Sequence, residues 1–223
     1  MNGDRLFDVR FLGFHALFLT VGTLLLVLPS TVPMGWRLFF AGVVYNIGFP
    51  VFAVSCVEPR WARLWTFIFP LSLLQIFPDW HLAQNLGTLV FPDLGFPQIG
   101  PVSLFMGLLW AVPLILIVDF GERLDARFGG AAAAWGAAAI SLVIFGIAEA
   151  TLTLIPVWHA QNVAMVGPVA LYVLIPEAIL GAAAWRAFRL TENRGTAAAL
   201  AGALAVMLLY AASLHLSWWL LEA

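Results

Sequence analysis

Two short stretches concentrate the polar chemistry of this sequence. "DWHLAQN" (Asp79 to Asn85) and "VWHAQN" (Val157 to Asn162) place Trp, His, Gln and Asn together twice, about eighty residues apart, in a chain with four histidines. Trp80, His81, Gln84 and Asn85 are matched by Trp158, His159, Gln161 and Asn162. Imidazole exchanges protons near neutral pH and ligates metals, and amide side chains both donate and accept hydrogen bonds. Trp and His also suit a boundary that is apolar on one side and wet on the other. Packing alone, however, requires fewer than four recurring polar types. Three carboxyls accompany the clusters: Asp79 opens the first, while Glu149 and Glu177 lie within apolar runs. Ionisable groups inside a membrane are costly and usually face a cavity or a partner. Hydrocarbon disfavours the charged form, so Glu149 and Glu177 are expected as neutral acids that can donate a proton in a dry cavity. That chemistry needs no cofactor and suits an alkene or epoxide, whose protonation creates a carbocation. Aromatic walls steady a cation, and eighteen Phe and ten Trp are available, most of them facing lipid.

Such carboxyls require a membrane around them, and the composition supplies it. The 223-residue chain is 63% hydrophobic and 10% charged, with a mean hydropathy of +0.99. A soluble domain carries about 25% charged residues, so the composition is that of a single multi-span membrane domain over residues 1–223. Ten arginines, no lysine and a formal net charge of −2 leave no basic face for nucleic acid and no acidic tail for a soluble partner. The single Cys56 excludes an intrachain disulfide and a Cys-rich metal site. The apolar run after Arg10 reaches Leu28 and is followed by Pro29-Ser30-Thr31 rather than a small-x-small cleavage site, which predicts a retained first span. The Ala-rich, Lys-free composition points to a prokaryotic inner membrane.

About twenty apolar residues cross a bilayer. Seven runs qualify, near 11–29, 36–56, 62–82, 100–120, 131–155, 165–186 and 196–219, predicting an all-α bundle of seven transmembrane helices. Trp36, Trp61, Trp65, Trp218 and Trp219 fall at run ends, as in an interfacial belt. Arg5, Arg10, Arg60, Arg63, Arg123, Arg127, Arg186, Arg189 and Arg194 fall on one side of this arrangement, and only Arg37 on the other. The positive-inside rule then places the N-terminus in the cytoplasm and both clusters on the extracytoplasmic side.

The repetition extends beyond the clusters. "GPVSLF" begins at Gly100 and "GPVALY" at Gly167, each expected to open the next span with a proline in its first turn. Hairpins 3–4 (about 62–120) and 5–6 (about 131–186) read as parallel copies, the first with an apolar insert, "LVFPDLGFPQ", expected to fold over the outer surface. Parallel repeats place a site at their interface. Aligned through "GPV", Glu177 is matched by Trp110, and Asp79 by Val157.

Helical spacing refines the candidate set. Glu149 precedes His159 by ten residues and is expected roughly 15 Å deeper on a continuous helix. Glu177 is expected near mid-bilayer, with Pro176 freeing a carbonyl one turn back. Gln75 lies one turn from Asp79 on the same face. Asn46 is mid-span, with Gly48 and Pro50 expected to kink its helix. Thr151 and Thr153 flank the turn of Glu149. Asp119, Glu122 and Glu58 are expected as partners of Arg123, Arg127 and Arg60, and the isolated His15 and His215 as structural residues.

Seven spans in little more than 200 residues, with isolated intramembrane carboxyls, resemble the small integral-membrane terpene cyclases of meroterpenoid pathways. The doubled hairpin and "LIPEAIL" around Pro176-Glu177 are similar to the lycopene cyclase domain of carotenoid pathways, which is likewise duplicated and carries a Pro-Glu-containing motif. Here Ala178 follows Glu177 where the carotenoid pattern has consecutive glutamates, and span 2 offers Asn46 where the terpene cyclases carry a Trp-Glu pair. The resemblance implies cyclase or isomerase chemistry on an isoprenoid, and carries over Glu177.

The residues therefore predict an intramembrane enzyme for a hydrophobic small molecule or lipid. Glu177, Glu149 and Asp79 would be the acid–base groups. Trp80, His81, Gln84, Asn85, Trp158, His159, Gln161, Asn162, Asn46 and Gln75 would bind substrate, without cofactor or metal. Four alternatives stand beside this reading. His81, His159, Asp79 and Glu149 have the donor types for zinc or iron. His81 and His159 could be axial haem ligands. Parallel repeats and proline-broken helices also suit a small transporter, expected as an oligomer, and a partner-binding protein is a separate alternative.

Overall fold

The computed structural model describes residues 8–152 and 154–223; Arg5 and Thr153, singled out above, lie outside the described residues. The chain is mostly helical. Its α-helices are α1 (Val9–Val27), α2 (Met34–Ser55), α3 (Pro59–Leu74), α4 (Ile76–Trp80), α5 (Met106–Leu109), α6 (Ala111–Phe128), α7 (Gly130–Thr151), α8 (Leu174–Thr191) and α9 (Thr196–Leu221). Five segments are long and apolar enough to cross a membrane: α1, α2, α7, Leu171–Thr191 and α9. α3 has only 16 residues but continues through α4 into a π-helical turn, His81–Leu86. α6 is interrupted by charge, carrying Asp119, Glu122, Arg123, Asp125 and Arg127.

The helices close into a ring, with α3 packed on α6, α6 on α7, α7 on α8, α8 on α9 and α9 back on α3. α2 packs on α3, and α1 on α2. Small residues bring α7 and α8 together: a Cβ on Gly181 would lie 2.5 Å from the Ala137 carbonyl oxygen and 2.6 Å from Ser141 Cβ. α1 is the loosest element, with only Phe11 and His15 buried. His15 behaves as expected of a structural histidine, its Nε2 2.9 Å from Tyr45 Oη and its Nδ1 2.9 Å from the Phe11 carbonyl oxygen. α2 runs through Pro50 without a break in helical assignment.

The two "GPV" segments do not open helices. Each forms a tight hairpin ahead of one: β2 (Gln98–Ile99) pairs with β3 (Val102–Ser103), and β5 (Met165–Val166) with β6 (Val169–Ala170). Gly100 and Gly167 adopt φ of +57° and +61°, the left-handed region glycine favours in such turns. The helices therefore begin later than the hydropathy runs suggest, with Leu171–Val173 forming a 3₁₀ turn before α8. A third ladder pairs β1 (Leu89–Val90) with β4 (His159–Ala160), joining the ends of the two clusters. The apolar insert packs down as expected: Phe96 lies 4.9 Å from both the Trp36 and Phe39 rings, and Gly35 N donates to the Leu94 carbonyl at 2.8 Å.

The two ends of the bundle differ in charge. At the end opposite the hairpins, Asp119 is buried and accepts from Arg60 at 2.6 Å and from Arg123. Glu122 meets Arg189 at 3.4 Å rather than the expected Arg127, whose guanidinium lies over the Phe128 ring instead. Glu58 lies 4.0 Å from Arg10, not against Arg60. At the hairpin end Arg37 caps the last turn of α1, donating to the carbonyls of Leu25 and Leu28.

Candidate functional site

The shifted helix boundaries determine where the carboxyls lie. α7 ends at Thr151, so Glu149 occupies its last turn rather than a deep position. The chain then folds back, and Trp158 Nε1 donates to Glu149 Oε1 at 2.9 Å. α8 begins at Leu174, so Glu177 occupies its first turn instead of mid-span. Pro176 also lies in that first turn, where no intrahelical amide bond is lost, so it does not free a carbonyl one turn back. Asp79 is held in α4, and Trp110, at the start of α6, donates Nε1 to its Oδ2 at 3.0 Å.

All three carboxyls line one cavity of about 300 Å³ beside the hairpins. Its remaining wall is almost entirely apolar, with Phe145, Tyr172 and Tyr210 among the aromatic residues and Phe18, Leu19, Gly22, Thr23 and Leu26 supplied by α1. No Arg or His is among the lining residues. The Trp110 ring stands 5.3 Å from Phe145 and 6.2 Å from Tyr210. Tyr172 is fixed at both ends, its hydroxyl 2.8 Å from Thr88 Oγ1 and its carbonyl accepting from Ser217 Oγ at 2.6 Å.

Glu177 differs from the other two. It is 5% exposed, and its Oε2 has no hydrogen-bond partner among the described residues. Buried polar atoms are nearly always partnered, and one that is not calls for an explanation. Ser141 Oγ donates to the backbone carbonyl of Glu177 at 2.7 Å, which fixes the helix while leaving the carboxyl unengaged. The cavity thus combines two indole-anchored carboxyls with one whose Oε2 has no partner among the described residues, in largely apolar surroundings. Such groups can pass a proton to a bound apolar molecule and take one back.

The doubled clusters do not gather into one substrate-binding site at the interface of the two hairpins. Trp158 lines the cavity, whereas Trp80 does not; its ring packs on Gly100, where a Cβ would lie 2.6 Å from the indole nitrogen. His81 Nε2 is 3.1 Å from His215 Nδ1, and Asn85 Nδ2 lies 2.9 Å from His81 Nδ1. His215 is therefore not isolated. His159 is exposed on β4, opposite Val90. Gln161 Nε2 donates to the Gly87 carbonyl at 3.0 Å, which ties the clusters together. Gln84 and Asn162 are exposed. Asn46 bridges helices instead of facing the cavity, donating to the Gly42 and Leu108 carbonyls at 2.8 and 2.9 Å. Gln75 is fully buried at the α3–α4 junction, away from the cavity, with neither side-chain polar atom partnered among the described residues.

The metal set His81, His159, Asp79 and Glu149 is not gathered, because His81 turns to α9 and both acids are engaged by indoles. Among the described residues no three His, Cys, Asp or Glu side chains converge. Sequence reasoning missed Trp110, Phe145, Tyr172 and Tyr210 as cavity residues. Trp110 did carry a signal, as the positional match of Glu177.

A family model described as a domain of unknown function, DUF6989, matches residues 76–221, and the chain belongs to that family. The match spans all three cavity carboxyls and both clusters. No curated protein and no solved structure matches the chain.

Proposed function

We propose that this member of the family is an integral-membrane enzyme that rearranges a lipid or isoprenoid by carboxylic-acid chemistry of the cyclase or isomerase type. The observation that carries the reading is the convergence of Asp79, Glu149 and Glu177 on one apolar cavity with no Arg or His among its described lining residues. Glu177 is the proton donor, because its free oxygen has no competing partner. Protonation of an alkene carbon or epoxide oxygen leaves a carbocation beside Trp110, Phe145 and Tyr210. Ring closure or bond migration follows. Glu149, held by Trp158, passes its proton to the carboxylate left on Glu177, and the cation then loses a proton to Glu149. Glu177 regains its proton from the cluster, so the substrate and product have the same mass and no cofactor is consumed.

The same proposal counts seven spans, adding α3–α4 and α6 to the five apolar segments. The concentration of arginines at one end supports a cytoplasmic N-terminus. The cavity then lies toward the extracytoplasmic side of a prokaryotic inner membrane. The paired "GPV" hairpins support a parallel duplication of hairpins 3–4 and 5–6.

The test uses the full chain in nanodiscs, incubated with a neutral lipid extract, with mass-conserving conversion followed by chromatography and mass spectrometry. Glu177→Gln and Glu149→Gln are expected to fold and to lose conversion. Wild-type conversion by both variants would remove the proposed acids.

A further inference from the structure

We infer that the cavity is a binding site for a lipophilic amine, with the ammonium group held at Glu177 and Glu149 and the apolar body lying against α1. The inference rests on the reading of the three carboxyls as a working cluster, but it requires binding only and no turnover.

Charge is the first ground. Asp119 and Glu122, buried at the other end of the bundle, each have an arginine within 4.0 Å. Among the described residues, the three cavity carboxyls have indole N–H groups or no partner. Carboxyls gathered in an apolar cavity ionise only if a cation joins them, and a buried charge requires both a counter-charge and hydrogen bonds. An ammonium N–H supplies both, and Glu177 Oε2 is the acceptor without a donor.

The walls are the second ground. Trp110, Phe145 and Tyr210 present aromatic surface within the same cavity, and aromatic faces attract ammonium groups, more strongly when water is excluded. A volume of about 300 Å³ lies at the small end of ligand pockets, enough for a head group and a short apolar body. The charge pattern also defines what is rejected. A phosphate needs Arg, Lys or clustered N–H donors, and with three acids and no such base among the described residues lining the cavity a phosphorylated lipid is disfavoured.

The experiment titrates the full chain, in a neutral maltoside detergent, with three probes of equal, short tail length: N,N-dimethylhexylamine, hexanol and hexyl phosphate. Binding is read from the change in intrinsic tryptophan fluorescence, to which Trp110 and Trp158 in the cavity wall contribute, and from the midpoint of thermal unfolding. The amine is expected to bind saturably, about tenfold or more tighter than the alcohol, with no saturable binding of the phosphate. Glu177→Gln is expected to bring the amine to the level of the alcohol. Glu177→Asp keeps the charge and is expected to keep the preference, which guards against a folding defect in the amide. Equal binding of amine and alcohol to the wild type, or an undiminished preference in Glu177→Gln, overturns the inference. The conversion assay reads the proposed function separately. Amine binding without conversion leaves a receptor, whereas conversion lost in Glu177→Gln without amine preference leaves the enzyme and removes this inference.

Discussion

The two ends of this bundle use the same side chains for opposite purposes. Away from the hairpins, Asp119 sits between Arg60 and Arg123, and Glu122 accepts from Trp185 Nε1 at 3.0 Å while also meeting Arg189. Beside the hairpins, among the described residues, Asp79 and Glu149 accept only an indole N–H, and Glu177 leaves an oxygen without a donor. An indole–carboxylate bond thus occurs at both ends, and the arginine is what differs. A carboxyl with an arginine is a strut, since removing either partner strands a charge. A carboxyl without one adds little to folding and remains available to a ligand. Acid-to-amide substitutions should therefore have opposite consequences at the two ends.

The largest effect should come from Glu177→Gln. General acid catalysis contributes about 10²–10⁴-fold, so conversion should fall by roughly 10³-fold while the unfolding midpoint stays level or rises. A clear loss of stability would make Glu177 a strut and erase the contrast. Asp119→Asn should do the reverse. Arg60 and Arg123 would lose their carboxylate, at a cost of about 2–3 kcal/mol, below the range for fully buried pairs because both guanidiniums keep some water contact. Equilibrium unfolding in detergent measures this, and conversion per folded molecule should not change.

The indoles refine the contrast with a smaller effect. Trp158→Phe and Trp185→Phe each remove one N–H and a similar ring volume. Glu149 would then have no hydrogen-bond partner among the described residues, whereas Glu122 would keep Arg189. A hydrogen bond to a charged group contributes about 1.5–3 kcal/mol and a neutral one about 1 kcal/mol. Conversion should therefore fall about tenfold in Trp158→Phe and remain unchanged in Trp185→Phe. Equal losses in both would mean that the indoles act through packing.

Which parts of this were legible follows from local physics. Asp79, Glu149 and Glu177 were identifiable because a carboxyl in an apolar run requires a reason. Their depths were not, because hydropathy counts the strands of a hairpin as part of a span. Met165–Ala170 is apolar, yet Gly167 turns it back on itself, so α8 begins nearly ten residues after the apolar run does. The doubled cluster was misleading in a similar way. Trp80–Asn85 continues a helix begun at Ile76, whereas Trp158–Asn162 follows Pro156, which biases the residue before it toward extended backbone, and contributes the strand β4. One composition therefore has two conformations. The pairing of His81 with His215 joins residues 134 apart in sequence, which no local pattern encodes.

The smallest effect distinguishes the ends by acid alone. Asp8 caps α1: its Oδ1 accepts from Arg10 N at 2.8 Å and its Oδ2 from Arg10 Nη2 at 2.8 Å. The hydrogen bonds from the Arg10 side chain are the chief reason its carboxyl is held down at about 2. A depressed acid contributes stability that is complete above its unfolded value, near 4, and is lost as pH falls through about 2. Asp8→Ala should cost about 1 kcal/mol at neutral pH through the lost cap. Asp8→Asn keeps a capping oxygen and removes only the charge, so its deficit against the wild type should be present at pH 5 and shrink toward pH 2. Unfolding midpoints of the two proteins across that interval measure the difference. A deficit that persists unchanged at pH 2 would show that the charge on Asp8, and hence its pairing with Arg10, contributes nothing to holding this end of the bundle.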